Sequence, residues 1–293
     1  MAQPPFVLSS ECGFHLLLMT IENLNSFIAN VCNKFASFIA MQSIGNPFTE
    51  LEAVDSTNNY AMAAAKNGTA KWGEAWFAHR QTAGKGSRGK SWNTGAAENI
   101  ALSVLLPHLP SLFFSESFLL TAAVALAAHD LFLQYAASDV SIKWPNDIYW
   151  RDRKAAGILI ENSFRGSEWQ FSVAGIGMNI NQTAFDSAIG NPVSLKQITG
   201  KAYDTVTLAK ELCECLQARY NQLQQDKNSV LEDYNNALYK RGEEATLKKG
   251  NIVFRGTIKQ VGKDGLLEVD NDIQRQFTFG DIEWVLPERN SIQ

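Results

Sequence analysis

Apolar residues recur at every second position through residues 100–106, where Ile100, Leu102, Val104 and Leu106 fall on one side. That period of two predicts a strand, closed by Pro107. Residues 117–137 differ: apolar nearly all round and free of Gly and Pro, they predict a buried central helix rather than a surface one. Strand signals return in residues 140–144, 147–151, 156–164 and 168–176, separated by turn chemistry at Pro145-Asn146, Asp152-Arg153 and Arg165-Gly166. Ahead of these, residues 48–54 read as a short strand ending at Asp55-Ser56-Thr57-Asn58, side chains whose oxygens accept the free N–H groups at a helix start. An alanine-rich helix over residues 59–66 follows, stopped at Asn67-Gly68, and then a strand over residues 74–80. A second long helix is predicted over residues 206–238, with Leu208, Leu212, Leu216, Tyr220 and Leu223 near helical spacing. Beyond Arg241-Gly242 short strands meet at tight turns in residues 249–251, 263–265 and 270–272, the pattern of a small β-barrel. The expected class is α+β, a mixed and largely antiparallel sheet with helices, followed by the barrel. The expected divisions are an extension over residues 1–40, a catalytic block over residues 41–240 and the barrel over residues 241–293.

Composition narrows what such a fold does. The 293 residues, 45% of them hydrophobic, suffice for a full core. Lys and Arg number 26 against 30 Asp and Glu, and a net charge of -4 gives no chain-wide attraction to nucleic acid or to an anionic membrane. Any basic function is therefore local. Cys12, Cys32, Cys213 and Cys215 fall outside the spacings of zinc ribbons and redox pairs and read as free thiols in a reducing cytoplasm. His15, His79, His108 and His129 are scattered, without the short spacing that puts two imidazoles on one helical face. Residues 1–40 are apolar around Phe14, Leu16, Leu17, Leu18, Ile21 and Leu24 but lack the leading positive charge of a secretory signal. They are expected to contribute nothing to chemistry, with Met41 an ordinary start.

The most basic segment, Gly84-Lys85-Gly86-Ser87-Arg88-Gly89-Lys90-Ser91, fits the spacing of a phosphate-cradling P-loop letter for letter. A true P-loop opens a helix, whose N–H groups hold the phosphates. Here Trp92-Asn93-Thr94-Gly95 read instead as a turn into a strand. The physics survives the change of fold: glycines permit close backbone approach to an anion, and Lys85, Arg88 and Lys90 neutralise it. A solvated basic turn is the plain alternative.

The ordered set Asp55-Ser56-Thr57-Asn58, Gln81-Thr82-Ala83-Gly84-Lys85-Gly86, Trp92, Lys143-Trp144-Pro145-Asn146-Asp147, Lys154-Ala155-Ala156-Gly157-Ile158-Leu159-Ile160-Glu161 and Gly175-Ile176-Gly177-Met178-Asn179 closely resembles the biotin protein ligases. The resemblance runs from about Phe48 to Leu286, its tail matching the family's SH3-like barrel. It implies adenylation of the biotin carboxylate by ATP, with magnesium, and then attack of an acceptor lysine on the mixed anhydride. Biotin would contact Ser56, Thr57, Asn58, Gln81, Gly84, Lys85, Gly86, Ser87, Lys154 and Gly157, with Ser56, Thr57 and Gln81 at its ureido end. The nucleotide would contact Lys85, Arg88, Lys90, Trp92, Asn146, Lys154 and Asn179. Lys154 and Asp147 would be the catalytic pair, Asp147 also holding magnesium.

Elementary chemistry agrees with these roles. Carboxylate and triphosphate repel, and a placed ammonium such as Lys154 stabilises the charge developing at the α-phosphate. One pocket for both partners makes their encounter oriented. Magnesium prefers oxygen ligands and substrate phosphates, which suits Asp147. Taken singly, Lys154 is equally a solvated charge and Asp147 a turn cap, while Trp144 and residues 158–160 read as core.

One departure stands out: where the family's loop commonly carries arginines, this chain has Lys85, Ser87 and Lys90, with Arg88 next door. Lysine lacks the planar fork of arginine, so looser retention of the adenylate is expected. The implied partner is a biotin carboxyl carrier protein of a carboxylase in the cytoplasm, with no membrane. A homodimer through an edge strand is compatible with the pattern. Rivals are a lipoate or octanoate ligase or transferase of the same superfamily, a module that holds biotin without activating it, and a biotin-sensing repressor. The last needs a helix-turn-helix, which residues 1–47 do not convincingly supply.

Overall fold

The computed structural model describes residues 43–92, 97–107, 109–186 and 190–286. The expected extension lies outside them, as do Cys12, Cys32, His15 and His108. The described residues from Ile44 onward belong to one compact unit. Its main sheet has seven strands in the order β1-β2-β3-β7-β6-β5-β4. These are β1 (Phe48–Leu51), β2 (Ala75–Ala78), β3 (Ile100–Pro107), β4 (Val140–Lys143), β5 (Asp147–Trp150), β6 (Arg153–Arg165) and β7 (Glu168–Met178). Only β1 and β2 pair in parallel, so the sheet is mixed and largely antiparallel, as the strand-turn-strand pattern predicts.

Register divides this sheet into two unlike faces. Leu102 pairs with Ile176, Ile176 with Ile158, and Ile142 with Ile148, so these buried side chains share one face. Against it lies α2 (Phe118–Ala136), buried nearly all round, with α4 (Thr205–Gln225) beyond. By length and composition Phe114–Ala136 would span a membrane, yet most of it is buried inside this unit, which marks a core helix. Arg219 of α4 ties the helical layer together: it donates to Asp130 at 2.6 and 3.0 Å and to Asp233 at 2.6 Å. On the opposite face α1 (Thr57–Lys66) packs Ala61 on Trp76, Leu105, Phe171 and Val173.

Three helical expectations need correction. The first helix begins at Thr57, two residues before its expected start at residue 59. The single helix over residues 206–238 is two, α4 and α5 (Lys227–Asn236). Asp226 between them is extended and its carboxylate accepts the Asn228 N–H at 2.9 Å, so it caps the second helix instead of continuing the first. A short helix, α3 (Leu195–Thr199), went unpredicted despite a capping box between Ser194 and Gln197 and a left-handed Gly200.

The C-terminal stretch forms a second, wholly antiparallel sheet in the order β11-β10-β9-β8-β12, consistent with an SH3-like barrel. Its strands are β8 (Glu244–Lys249), β9 (Ile252–Val261), β10 (Leu267–Asp270), β11 (Gln276–Phe277) and β12 (Glu283–Trp284). It docks on the main sheet and helices through specific bonds. Asn235 exchanges both hydrogen bonds with the Val261 backbone, and the Trp144 indole donates to the Gly265 carbonyl at 3.0 Å.

Candidate active site

On the sheet face away from α2, the central strands lose their side chains. Gly157 of β6 pairs with Gly177 of β7, and Gly175 lies two residues along from Gly177 on the same face. A Cβ at Gly177 would overlap the Trp92 indole, and one at Gly157 would lie 3.2 Å from it, so the glycines form a trough in which Trp92 rests. The Trp92 indole N–H is buried there with no partner among the described residues.

A polar end and a charged end bound this trough. At the polar end, the first turn of α1 meets a lone hydroxyl from β3. Ser103 donates to Asn58 Oδ1 at 2.6 Å and lies 2.8 Å from Thr57 Oγ1. Thr57 donates through its N–H at 2.8 Å and its hydroxyl at 3.1 Å to Gln81 Oε1. Asn58 donates to Glu161 at 2.9 Å, and its carboxamide fills the space that a Cβ on Gly175 would take. Ser56 is buried at the N-cap position, but its side chain makes no capping bond; Gln81 takes up the helix-start N–H instead.

At the charged end, Lys154 donates to Asp147 at 2.6 Å, and its ammonium lies 5.7 Å from the Trp92 ring centroid. Asn146 donates to the Ile158 carbonyl at 2.6 Å and to Ser87 Oγ at 3.0 Å, which pins the basic loop beside the pair. Within that loop the backbone N–H of Gly86 donates to the Lys90 carbonyl and that of Trp92 to the Gly84 carbonyl. Those N–H groups are consumed internally and no helix begins at Ser91, so the resemblance to a P-loop is one of letters only.

The expected residues do not all converge equally. Lys85 stands 3.9 Å from Glu161, near the polar end. Arg88 turns toward the barrel, its guanidinium 5.9 Å from the Phe279 ring centroid and against Gly280. Lys90 is exposed. Asn179 is buried and donates to the Lys154 and Val193 carbonyls, which seats the strand that carries Lys154. Cys213 and Cys215 are free thiols on α4, pushed up to about 12 and about 11 chiefly by burial, remote in character from any nucleophile. Sequence reasoning missed Ser103, Gly175, Gly177 and Glu161 as site residues. The signals were present: one hydroxyl in an apolar strand, and two glycines at the period of one sheet face.

Among the described residues no group of three His, Cys, Asp or Glu side chains stands ready for a metal. A single carboxylate, Asp147, beside the Asn146 amide fits a magnesium ion that arrives on substrate phosphates, not one caged by protein alone.

A glycine-cleared sheet face with hydrogen-bonding side chains at one end and an ammonium at the other has the chemistry to hold a small polar molecule joined to an anion. Residues 50–179 match the sequence model of the biotin/lipoate A/B protein ligase family. The biotin--[acetyl-CoA-carboxylase] ligase of Paracoccus denitrificans is 36% identical over 162 residues, 53% of this chain and 65% of that protein. The Escherichia coli bifunctional ligase/repressor BirA is 31% identical over 195 residues, 65% of this chain and 59% of that protein. The chain thus spans less than two thirds of the length of these two relatives. In fold, it is similar to the Aquifex aeolicus biotin protein ligase solved with biotin and ATP, with a TM-score of 0.69 at 23% identity over 82% of this chain and 99% of that one.

Proposed function

We propose that this chain is an ATP-dependent biotin protein ligase. The observation that carries the reading is the joint placement, on one glycine-cleared face, of the Gln81–Thr57–Ser103–Asn58 network and the Lys154–Asp147 pair. The network offers both donors and acceptors to a neutral ureido group, and Ser56, Thr57, Asn58 and Gln81 belong to that end. Gly84, Lys85, Gly86 and Ser87 close over the ligand, and Gly157 leaves room for it. At the other end Lys154 bridges the biotin carboxylate and the α-phosphate, while Trp92, Asn146 and Asn179 shape the nucleotide side with Lys90 and Arg88 as outer charges.

A carboxylate oxygen attacks the α-phosphorus, the bond to the β-phosphate oxygen breaks, and pyrophosphate leaves with the electron pair. An acceptor lysine amine then attacks the acyl carbon and AMP departs. Lys154 offsets the charge that develops in the first step, and oriented binding of two mutually repelling anions supplies the rest. Magnesium carried by ATP and held at Asp147 would neutralise the phosphates. The names of the Paracoccus denitrificans relative and of a Mycobacterium tuberculosis ligase make the carrier region of a biotin-dependent carboxylase the acceptor of choice. The free thiols and the burial of α2 suit an enzyme of the cytoplasm.

Incubation with magnesium-ATP and biotin, lipoate or octanoate in turn, followed by pyrophosphate exchange, tests this reading. Exchange with biotin alone is expected. Exchange with lipoate or octanoate in its place would move the chain to the other branch of the family, and biotin binding with no exchange would leave a binding module.

A further inference from the structure

Glu161 stands on β6 an even number of residues beyond Gly157, so strand alternation puts it on the cleared face, where its cross-strand partner is Val173 and that of Leu159 is Gly175. Val173 packs beneath α1, and an apolar side chain at residue 161 would extend that packing. A carboxylate stands there instead. The reaction derived above gives Glu161 no contact with biotin or nucleotide, yet its two oxygens reach two separate parts of the site. Oε2 accepts from Asn58 Nδ2 at 2.9 Å. A carboxylate only accepts, so it decides which way the Asn58 carboxamide faces. Nδ2 turns toward β6, where it also reaches the Leu159 carbonyl at 3.4 Å, and Oδ1 turns toward the Ser103 hydroxyl at 2.6 Å. A reversed amide would set Oδ1 against both the carboxylate and that carbonyl.

The other oxygen, Oε1, lies 3.9 Å from Lys85 Nζ, and both side chains of this pair are part-exposed. Lys85 belongs to the basic loop. Further along, the loop is moored to the charged end, where Ser87 Oγ accepts from Asn146 at 3.0 Å, and to the barrel, where Arg88 lies over Phe279. Lys85 is its charged tie to the polar end. The other carboxylate acting on Lys85 is Asp55, which Asn59 Nδ2 takes up at 2.6 Å.

We infer that Glu161 is a positioning residue that couples these two parts: the carboxylate that orients Asn58 at the polar end also holds the loop down over the ligand through Lys85. This rests on the proposed function and adds to it a residue that acts only through others. Gly157, Lys154 and Glu161 all stand on β6, so one strand supplies the cleared floor, the ammonium at one end and the tie for the loop at the other. The two bonds differ in kind. The ion pair is part-exposed and screened by salt. The hydrogen bond serves a buried amide, whose N–H groups are costly to leave without a strong acceptor.

The test measures biotin affinity and the release rate of preformed biotinyl-5'-AMP in the full chain as parent, Glu161→Gln, Glu161→Leu, Lys85→Met and the Glu161→Gln/Lys85→Met double variant. Glutamine keeps an acceptor for Asn58 and removes the charge. Release from Glu161→Gln is therefore expected to be about 2–5-fold faster than from the parent, the scale of a part-exposed ion pair. That difference should vanish in about 1 M salt and in the Lys85→Met background, where no partner is left to lose. Leucine removes the acceptor as well, and its biotin affinity is expected to fall about tenfold or more below that of Glu161→Gln, a loss that salt does not abolish. Release from Glu161→Gln at the parental rate overturns the inference, as does an acceleration that persists undiminished in the Lys85→Met background. Equal biotin affinity in Glu161→Leu and Glu161→Gln overturns it too, because Asn58 would then be oriented without the carboxylate. Should the leucine variant fail to fold, the cycle between Glu161→Gln and Lys85→Met decides. A parent that binds neither biotin nor the preformed adenylate would instead overturn the proposed function itself.

Discussion

The two faces of the seven-stranded sheet are made by the same strands and obey opposite rules. On the helical face every central position is filled: Leu102, Ile148, Ile158 and Ile176 are buried to within 2%. Each such side chain contributes on the order of 1.5–3 kcal/mol of burial. On the other face the same strands carry Gly157, Gly175 and Gly177, with an ion pair and an orphaned indole N–H where apolar side chains would stabilise more. Alternation along a strand lets one face secure the fold while its neighbour, one residue away, is free to be suboptimal. Stability and chemistry are therefore separable by residue parity.

That separation is what mutation should break or sharpen. The largest effect is expected from Lys154→Ala: biotin-dependent pyrophosphate exchange should fall by about 10²–10³-fold, the scale seen when one transition-state donor is removed. The thermal midpoint should hardly move, and a comparable loss of stability would erase the division between faces. On the opposite face Ile148→Ala should cost about 2–4 kcal/mol of unfolding free energy through the cavity it leaves. Its KM for biotin, measured well below the melting range, should match the parent. The smallest effect concerns the loop. Ser87→Arg removes the Asn146 bond but restores a cation near the trough, and release of biotinyl-5'-AMP should slow by about 3–10-fold, the worth of one exposed charged contact. Equal retention in parent and variant would show that the lysine-rich loop holds the adenylate as well as an arginine-rich one.

How much of this was legible beforehand follows the same parity. The long apolar strands and α2 were readable because their period is unambiguous over many residues. The break at Asp226 was harder, since apolar spacing continues across it and only the capping carboxylate marks a new start. Of the site, the charged end was legible only by resemblance to a family; the structure sets Lys154 on Asp147 and Asn146 against Ser87 and the Ile158 carbonyl. The polar end was half seen. Gln81 and Thr57 were anticipated, but Ser103 was passed over as part of a strand and Gly175 and Gly177 as part of a motif. A strand's pattern says which residues share a face, not which opposing element will reach across it, and Asn58 reaches Gly175 only once α1 is folded onto the sheet. Arg88 shows the converse: its charge read as a ligand contact, while the barrel offers it Phe279 and Gly280.

The most direct test of the cleared face is the dissociation constant of biotinyl-5'-AMP for the parent and for Gly177→Val. The branched side chain occupies the trough and displaces Trp92, so binding should weaken by about 100-fold or more, as for a filled and unpaired site, while circular dichroism and melting behave as in the parent. Parental affinity in a folded Gly177→Val protein would mean that the ligand lies elsewhere and that the glycines serve only the packing of Trp92.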